Sequence, residues 1–116
     1  MSNITRINTN ARMSQVVMAN GFAFVSGQVP DNAGSSIEQQ TTEVLGKIDA
    51  QLQAQGIQRE QIVSANVWLS SPAHFGAFNA VWDQWIPSGH APARACVQAL
   101  LMLPGLDVEV AVVAAL

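Results

Sequence analysis

Two isolated charges near the end of the chain have the most chemistry in them. Arg94 stands in Ala93-Arg94-Ala95-Cys96-Val97, and Glu109 stands in Val108-Glu109-Val110-Ala111-Val112-Val113. Each is the sole charge in an apolar run of strand character. A guanidinium set among alanine, cysteine and valine must pair or face a wet cleft, because stranding it costs several kcal/mol. Two chemistries follow from these residue types. If the two strands are neighbours, Arg94 and Glu109 can form a structural ion pair. Alternatively they line a site in which the guanidinium clamps a substrate carboxylate through a fork of hydrogen bonds. Glu109 then holds a water or moves a proton. Residue type leaves both readings open.

The other candidates carry less. Cys96 shares a strand side with Arg94 by the two-residue period, but a lone cysteine is more often a small buried apolar group than a nucleophile. His74 at a helix start and His90 in a breaker loop read as exposed, with His90 able to border a cleft. Arg59 lies in a polar turn and reads as solvated. Trp68, Trp82 and Trp85 read as core. Ser26-Gly27-Gln28 closes a strand, and Gly27 would let a ligand approach the backbone. No nucleotide-binding, zinc-protease or nucleophile-elbow pattern is present.

The elements that position these residues are legible from pattern. Gln15 to Ala19 and Phe22 to Ser26 read as strands joined by Asn20-Gly21, the dipeptide a two-residue hairpin turn prefers. Arg6 to Asn8 opens an edge strand before them. A polar loop runs from Gly27 to Ser36. Ile37, Thr41, Val44, Leu45, Ile48 and Leu52 then recur at helical spacing, with Ser35 or Ser36 as cap and Gly56 as stop. Ile62 to Leu69 reads as a buried strand, and Ser71-Pro72 starts a second helix. The apolar face of that helix is Phe75, Phe78, Val81, Trp82, Trp85 and Ile86. Strands from Ala93 to Leu101 and from Asp107 to Ala115 finish the chain. A sheet of about six strands with two helices on one face is the economical packing, an α+β sandwich forming a single domain over residues 1–116.

Composition bounds the partners. The 116 residues are 49% hydrophobic and only 11% charged, with five basic and eight acidic side chains. Average usage is about 25% charged. A folded monomer of this mass exposes roughly 6,100 Å², so its charges are too sparse for an ordinary lone surface. Oligomerisation through the uncovered sheet face is therefore expected. A net charge of −3 with Lys47 as the one lysine gives no clustered cation for nucleic acid or an anionic membrane. No apolar run reaches the ~18 residues of a spanning helix, and the first residues show no apolar leader. A cytoplasmic location is expected, weakly supported by the single cysteine.

Several segments together resemble the RidA/YjgF family of reactive enamine/imine deaminases. They are Ser14-Gln15-Val16-Val17, Phe24-Val25-Ser26-Gly27-Gln28-Val29-Pro30, Gln40-Thr41, Phe78-Asn79, Pro92-Ala93-Arg94 and Val108-Glu109-Val110. The stretch His90 to Arg94 with Val97-Gln98-Ala99 is most similar to a YoaB-like branch. The resemblance implies a chorismate-mutase-like fold assembled as a homotrimer, with ligand clefts between subunits. It implies hydrolysis of 2-imino or 2-enamino acids to 2-oxo acids and ammonia, with no metal or organic cofactor. Arg94 would bind the substrate carboxylate and Glu109 the hydrolytic water. Ser26, Gly27 and Cys96 match residues near the cleft, and Asn79 matches a helix asparagine with a structural role. One segment departs. Met13 stands where the family has a tyrosine, and a thioether donates no hydrogen bond. Arg12 stands where the family has a proline and would bring a second cation toward the opening. The departure keeps a second reading alive, a protein that binds small carboxylates such as 2-oxo acids without turnover.

Overall fold

Local signals set the elements, and the computed structural model describes residues 3–116. The strands are β1 (Ile4–Thr9), β2 (Ser14–Ala19), β3 (Phe22–Gln28), β4 (Ile62–Leu69), β5 (Ala93–Gln98) and β6 (Val108–Ala115). Helix α1 (Ile37–Ala54) lies between β3 and β4, and α2 (Phe75–Trp85) lies between β4 and β5. Asn20 and Gly21 both take positive φ, 52° and 81°, as a primed hairpin turn requires. The Ser36 hydroxyl caps α1 by accepting from the Gln39 amide at 3.1 Å. Gly56 leaves the helix with φ 69°. Ser71 caps a short 3-10 turn over Pro72–His74, and α2 proper begins only at Phe75. β5 is three residues shorter than the apolar pattern suggests. Beyond Gln98 the chain turns outward, leaving Leu100 and Met102 85% and 90% exposed.

Sheet order is β1-β2-β3-β6-β4-β5. β4 pairs antiparallel with β6 on one side and parallel with β5 on the other. β1 and β5 are the two edges. Alternate residues of the strands, Val16, Val25, Val67, Val108, Val110 and Val112 among them, enter one core with Val44, Leu45, Ile48 and Leu52 of α1. Phe78, Trp82 and Trp85 of α2 complete it. The molecule is a slab of 46 × 37 × 21 Å, one sheet and one helical layer thick.

Among the described residues, nothing covers the other sheet face. Phe22, Phe24 and Val97 are 40%, 46% and 53% exposed there, and Trp68 shares it, level with Glu109 and Val97. Trp68 is thus outside the helix-covered core that its residue type suggested. Arg59 also differs from expectation. Its Nε and Nη2 donate to the two Asp49 oxygens at 2.8 and 2.7 Å, and its Nη1 donates to the Trp85 carbonyl at 3.0 Å. Asp49 further accepts from Trp85 Nε1. This clamp ties α1 to the end of α2.

Candidate functional site

Arg94 lies on the helix-covered side of the edge strand β5, because it is level with buried Ala65 of β4. Its guanidinium rests over the rings of Trp82 and Phe78, 5.2 and 5.8 Å from their centroids. Those two rings stand one helical turn apart on α2 and stack on each other at 5.9 Å. The shelf lets a cation sit near a core without a carboxylate, since aromatic faces carry partial negative charge. Two ion pairs and a His74–Asp107 contact occur among the described residues, and Arg94 is in none of them. Beside it opens a hollow of ≈ 330 Å³ lined by Asn79, Trp82, Asp83, Ala91, Pro92 and Arg94. The guanidinium is therefore positioned, unpaired and reachable.

Cys96 points to the same side two residues on, level with Val67. It lines a second hollow of ≈ 280 Å³ with Leu69, Phe75 and Gln98. Burial pushes its thiol pKa up, and the positive charge of Arg94 opposes that shift.

Glu109 is on the opposite side of the sheet. β4 lies between β5 and β6, so the strands carrying Arg94 and Glu109 are not neighbours. Arg94 is level with Ala65, whereas Glu109 is level with Trp68. A structural ion pair within one protomer is thereby excluded, and so is a single-protomer pocket holding both side chains. The carboxylate of Glu109 instead covers Gly27. The register between β3 and β6 shifts between Val25 and Gln28, bringing the Gly27 backbone under it. A methyl group built on Gly27 would collide with Oε2 of Glu109 and stand 3.0 Å from its Cδ. Burial raises the Glu109 pKa above the ordinary carboxylate value.

Ser26 and Gln28 flank that glycine. The Ser26 hydroxyl and Gln28 Nε2 both donate to Oε1 of Gln15 on β2, at 3.3 and 2.9 Å. Arg12 and Met13 form the exposed β1–β2 turn, whose amides both donate to Oδ1 of Asn10. Ser14 follows directly and opens β2, the strand paired with β3. The chain thus presents two half-sites: Arg94 and Cys96 at one edge, and Glu109, Gly27 and Ser26 on the open face.

Two contributions escaped the sequence reading. Phe78 and Trp82 read as core, but they also form the guanidinium's shelf, which their four-residue spacing would have allowed. Gln40, completely buried, donates to the Gly105 carbonyl and Asp107 Oδ2 at 3.0 and 3.1 Å and accepts from the Asp107 amide at 2.8 Å. That clamp anchors the start of β6 and hence the position of Glu109. Among the described residues no cluster of three His, Cys, Asp or Glu side chains is placed to hold a metal. No helix among them is long and apolar enough to cross a membrane.

Comparison with known proteins shows the family. The family model described as Endoribonuclease L-PSP matches residues 3–116. The chain is 42% identical over 112 residues to the RutC family protein YoaB of Escherichia coli, covering 97% of each. It is 37% identical to a RutC family protein of Haemophilus ducreyi, again covering 97% of each. A solved member of the YjgF family from Neisseria meningitidis superposes with a TM-score of 0.93 at 37% identity, covering 97% of this chain and 94% of that one. The chain belongs to the RidA/YjgF family, in its YoaB-like branch.

Proposed function

We propose that this protein hydrolyses reactive 2-imino and 2-enamino acids to 2-oxo acids and ammonia, in clefts between the subunits of a homotrimer. The observation that carries the reading is the unpaired guanidinium of Arg94, held on two aromatic faces beside an open hollow. The trimer is supported by the segregation of the two half-sites. Arg94 lies at an exposed sheet edge and Glu109 on an uncovered apolar face, so a site using both needs a second copy. Docking that face would also cover Phe22, Phe24 and Val97.

The roles follow from chemistry. Arg94 anchors the substrate carboxylate, each charge-assisted hydrogen bond contributing roughly 1.5–3 kcal/mol. Glu109 of the neighbouring subunit orients a water toward the imine carbon and takes its proton; a carboxyl with a raised pKa suits proton transfer near neutrality. Water adds to the protonated C=N carbon to give a carbinolamine. The C–N bond then breaks as the nitrogen leaves as ammonia and the carbon becomes the carbonyl of the 2-oxo acid. Water is the only co-reactant. Ser26 and Gly27 shape the approach to Glu109, Cys96 lines the wall beyond Arg94, and Met13 and Arg12 flank the opening. The single free thiol favours a cytoplasmic setting.

A small anion fits this chain better than a polynucleotide. Of its five basic residues, Lys47 is paired with Asp31 and Arg59 with Asp49. That leaves too little positive charge to displace counterions from a phosphate backbone. Met13 favours the second reading, carboxylate binding without turnover, since the family's tyrosine hydroxyl is missing. One experiment separates them. Imines are generated by an amino-acid oxidase, the survivors are trapped with semicarbazide, and native protein is compared with Arg94→Ala. Hydrolysis predicts less trapped product with native protein and full trapping with the variant. Equal trapping with and without native protein, across several imino acids, removes the deaminase reading.

A further inference from the structure

Two charged side chains on this hollow lack a partner of opposite charge among the described residues. Arg94 is a donor-rich cation outside every ion pair among the described residues, and Asp83 is an anion likewise outside them. Both line the same ≈ 330 Å³ of space, and they do not close it by pairing with each other. The hollow therefore offers a cation for a carboxylate and, on its helix wall, the Asp83 carboxylate for a positively charged group. A 2-oxo acid would satisfy the first need only. A molecule whose carboxylate and positively charged nitrogen are attached to the same carbon would satisfy both.

We infer that this hollow recognises the zwitterionic head of an α-amino or α-iminium acid, with Asp83 as the residue that selects for the charged nitrogen. The inference rests on the reading of Arg94 as a carboxylate anchor and deepens it. The substrate enters as the protonated iminium, already electrophilic at carbon, and the 2-oxo acid product loses the Asp83 contact when nitrogen leaves. Free α-amino acids occupy the same hollow as competing ligands.

Calorimetric titration of the assembled protein with L-2-aminobutanoate and 2-oxobutanoate, which have equal chain length, tests this without reference to turnover. Asp83 is exposed, so its variants retain the fold. Asp83→Asn is expected to weaken binding of the amino acid at least fivefold and that of the 2-oxo acid less than twofold. Asp83→Lys is expected to move the two ligands in opposite directions, weakening the first and tightening the second. Arg94→Ala weakens both at least tenfold. Parallel changes in the Asp83 variants, no change, or a native protein that takes up no amino acid would each overturn the assignment. The deaminase reading fails separately, if the binding pattern holds but native protein leaves imine decay unchanged.

Discussion

Replacing Gly27 by alanine tests the closest approach in the open-face half-site. Gly27 has no positive φ, so an alanine there meets no backbone penalty and the whole effect comes from contact. The added methyl would overlap Oε2 of Glu109 and stand 3.0 and 3.3 Å from its Cδ and Cγ, where an ordinary carbon contact needs about 3.5–4.0 Å. The carboxylate must retreat or the β3–β6 pair must spread. Overpacking of this kind costs about 1–3 kcal/mol. For a chain of this size that lowers Tm by about 4 °C per kcal/mol. On the proposed deaminase reading, a carboxylate displaced by about 1 Å would reduce turnover by about a hundredfold. The decisive measurement is a double-mutant cycle by denaturant unfolding. Glu109→Ala removes all three atoms that the new methyl meets, so Gly27→Ala should cost little in that background. The coupling should then fall within the 0.5–3 kcal/mol typical of residues in contact. A Gly27→Ala penalty of equal size with and without the Glu109 side chain would show that the carboxylate does not lie over this glycine, and the account of the half-site would fail.

Other outcomes follow from the same geometry. The folded-state pKa of Glu109 is raised by burial, so the folded state binds more protons and loses stability as pH rises through that raised value. Glu109→Gln should therefore gain stability relative to native protein over that window and keep the gain above it, while losing imine hydrolysis; parallel Tm-versus-pH curves would contradict this. Arg59→Ala breaks the clamp on Asp49 and Trp85; the Arg59 and Asp49 side chains are 39% and 18% exposed. With screening discounted it should cost about 1–2 kcal/mol in chemical denaturation and leave imine turnover intact. The Cys96 thiol should react with iodoacetamide more slowly than a free thiol at neutral pH, and Arg94→Ala should slow it further, because the nearby cation opposes the rise in its pKa. Faster alkylation in that variant would mean that the guanidinium shields the thiol sterically instead.

The uncovered face and the sparse charge belong to one physical pattern. In a slab 21 Å thick the helices cover one sheet face, and the open face carries Phe22, Phe24, Val97 and Trp68 with Glu109 among them. A carboxylate in such company is costly unless a neighbour or a ligand makes use of it.

What the amino-acid sequence determined alone is whatever rests on neighbours within a few residues. The Asn20-Gly21 turn, the Ser36 cap, the Gly56 stop and the strand and helix order depend on backbone preferences and periodicity, which act locally. The oddity of Arg94 was visible for the same reason, since its apolar flanks are adjacent in the chain. Tertiary structure alone decided where β4 goes. Its insertion between β5 and β6 separates Arg94 from Glu109 and aims them at opposite sides of the sheet. The Arg59–Asp49 clamp, the aromatic shelf under Arg94 and the approach of Gly27 to Glu109 likewise join residues distant in sequence. Such pairings are selected by the free energy of the whole packed core, so no short window of sequence contains them.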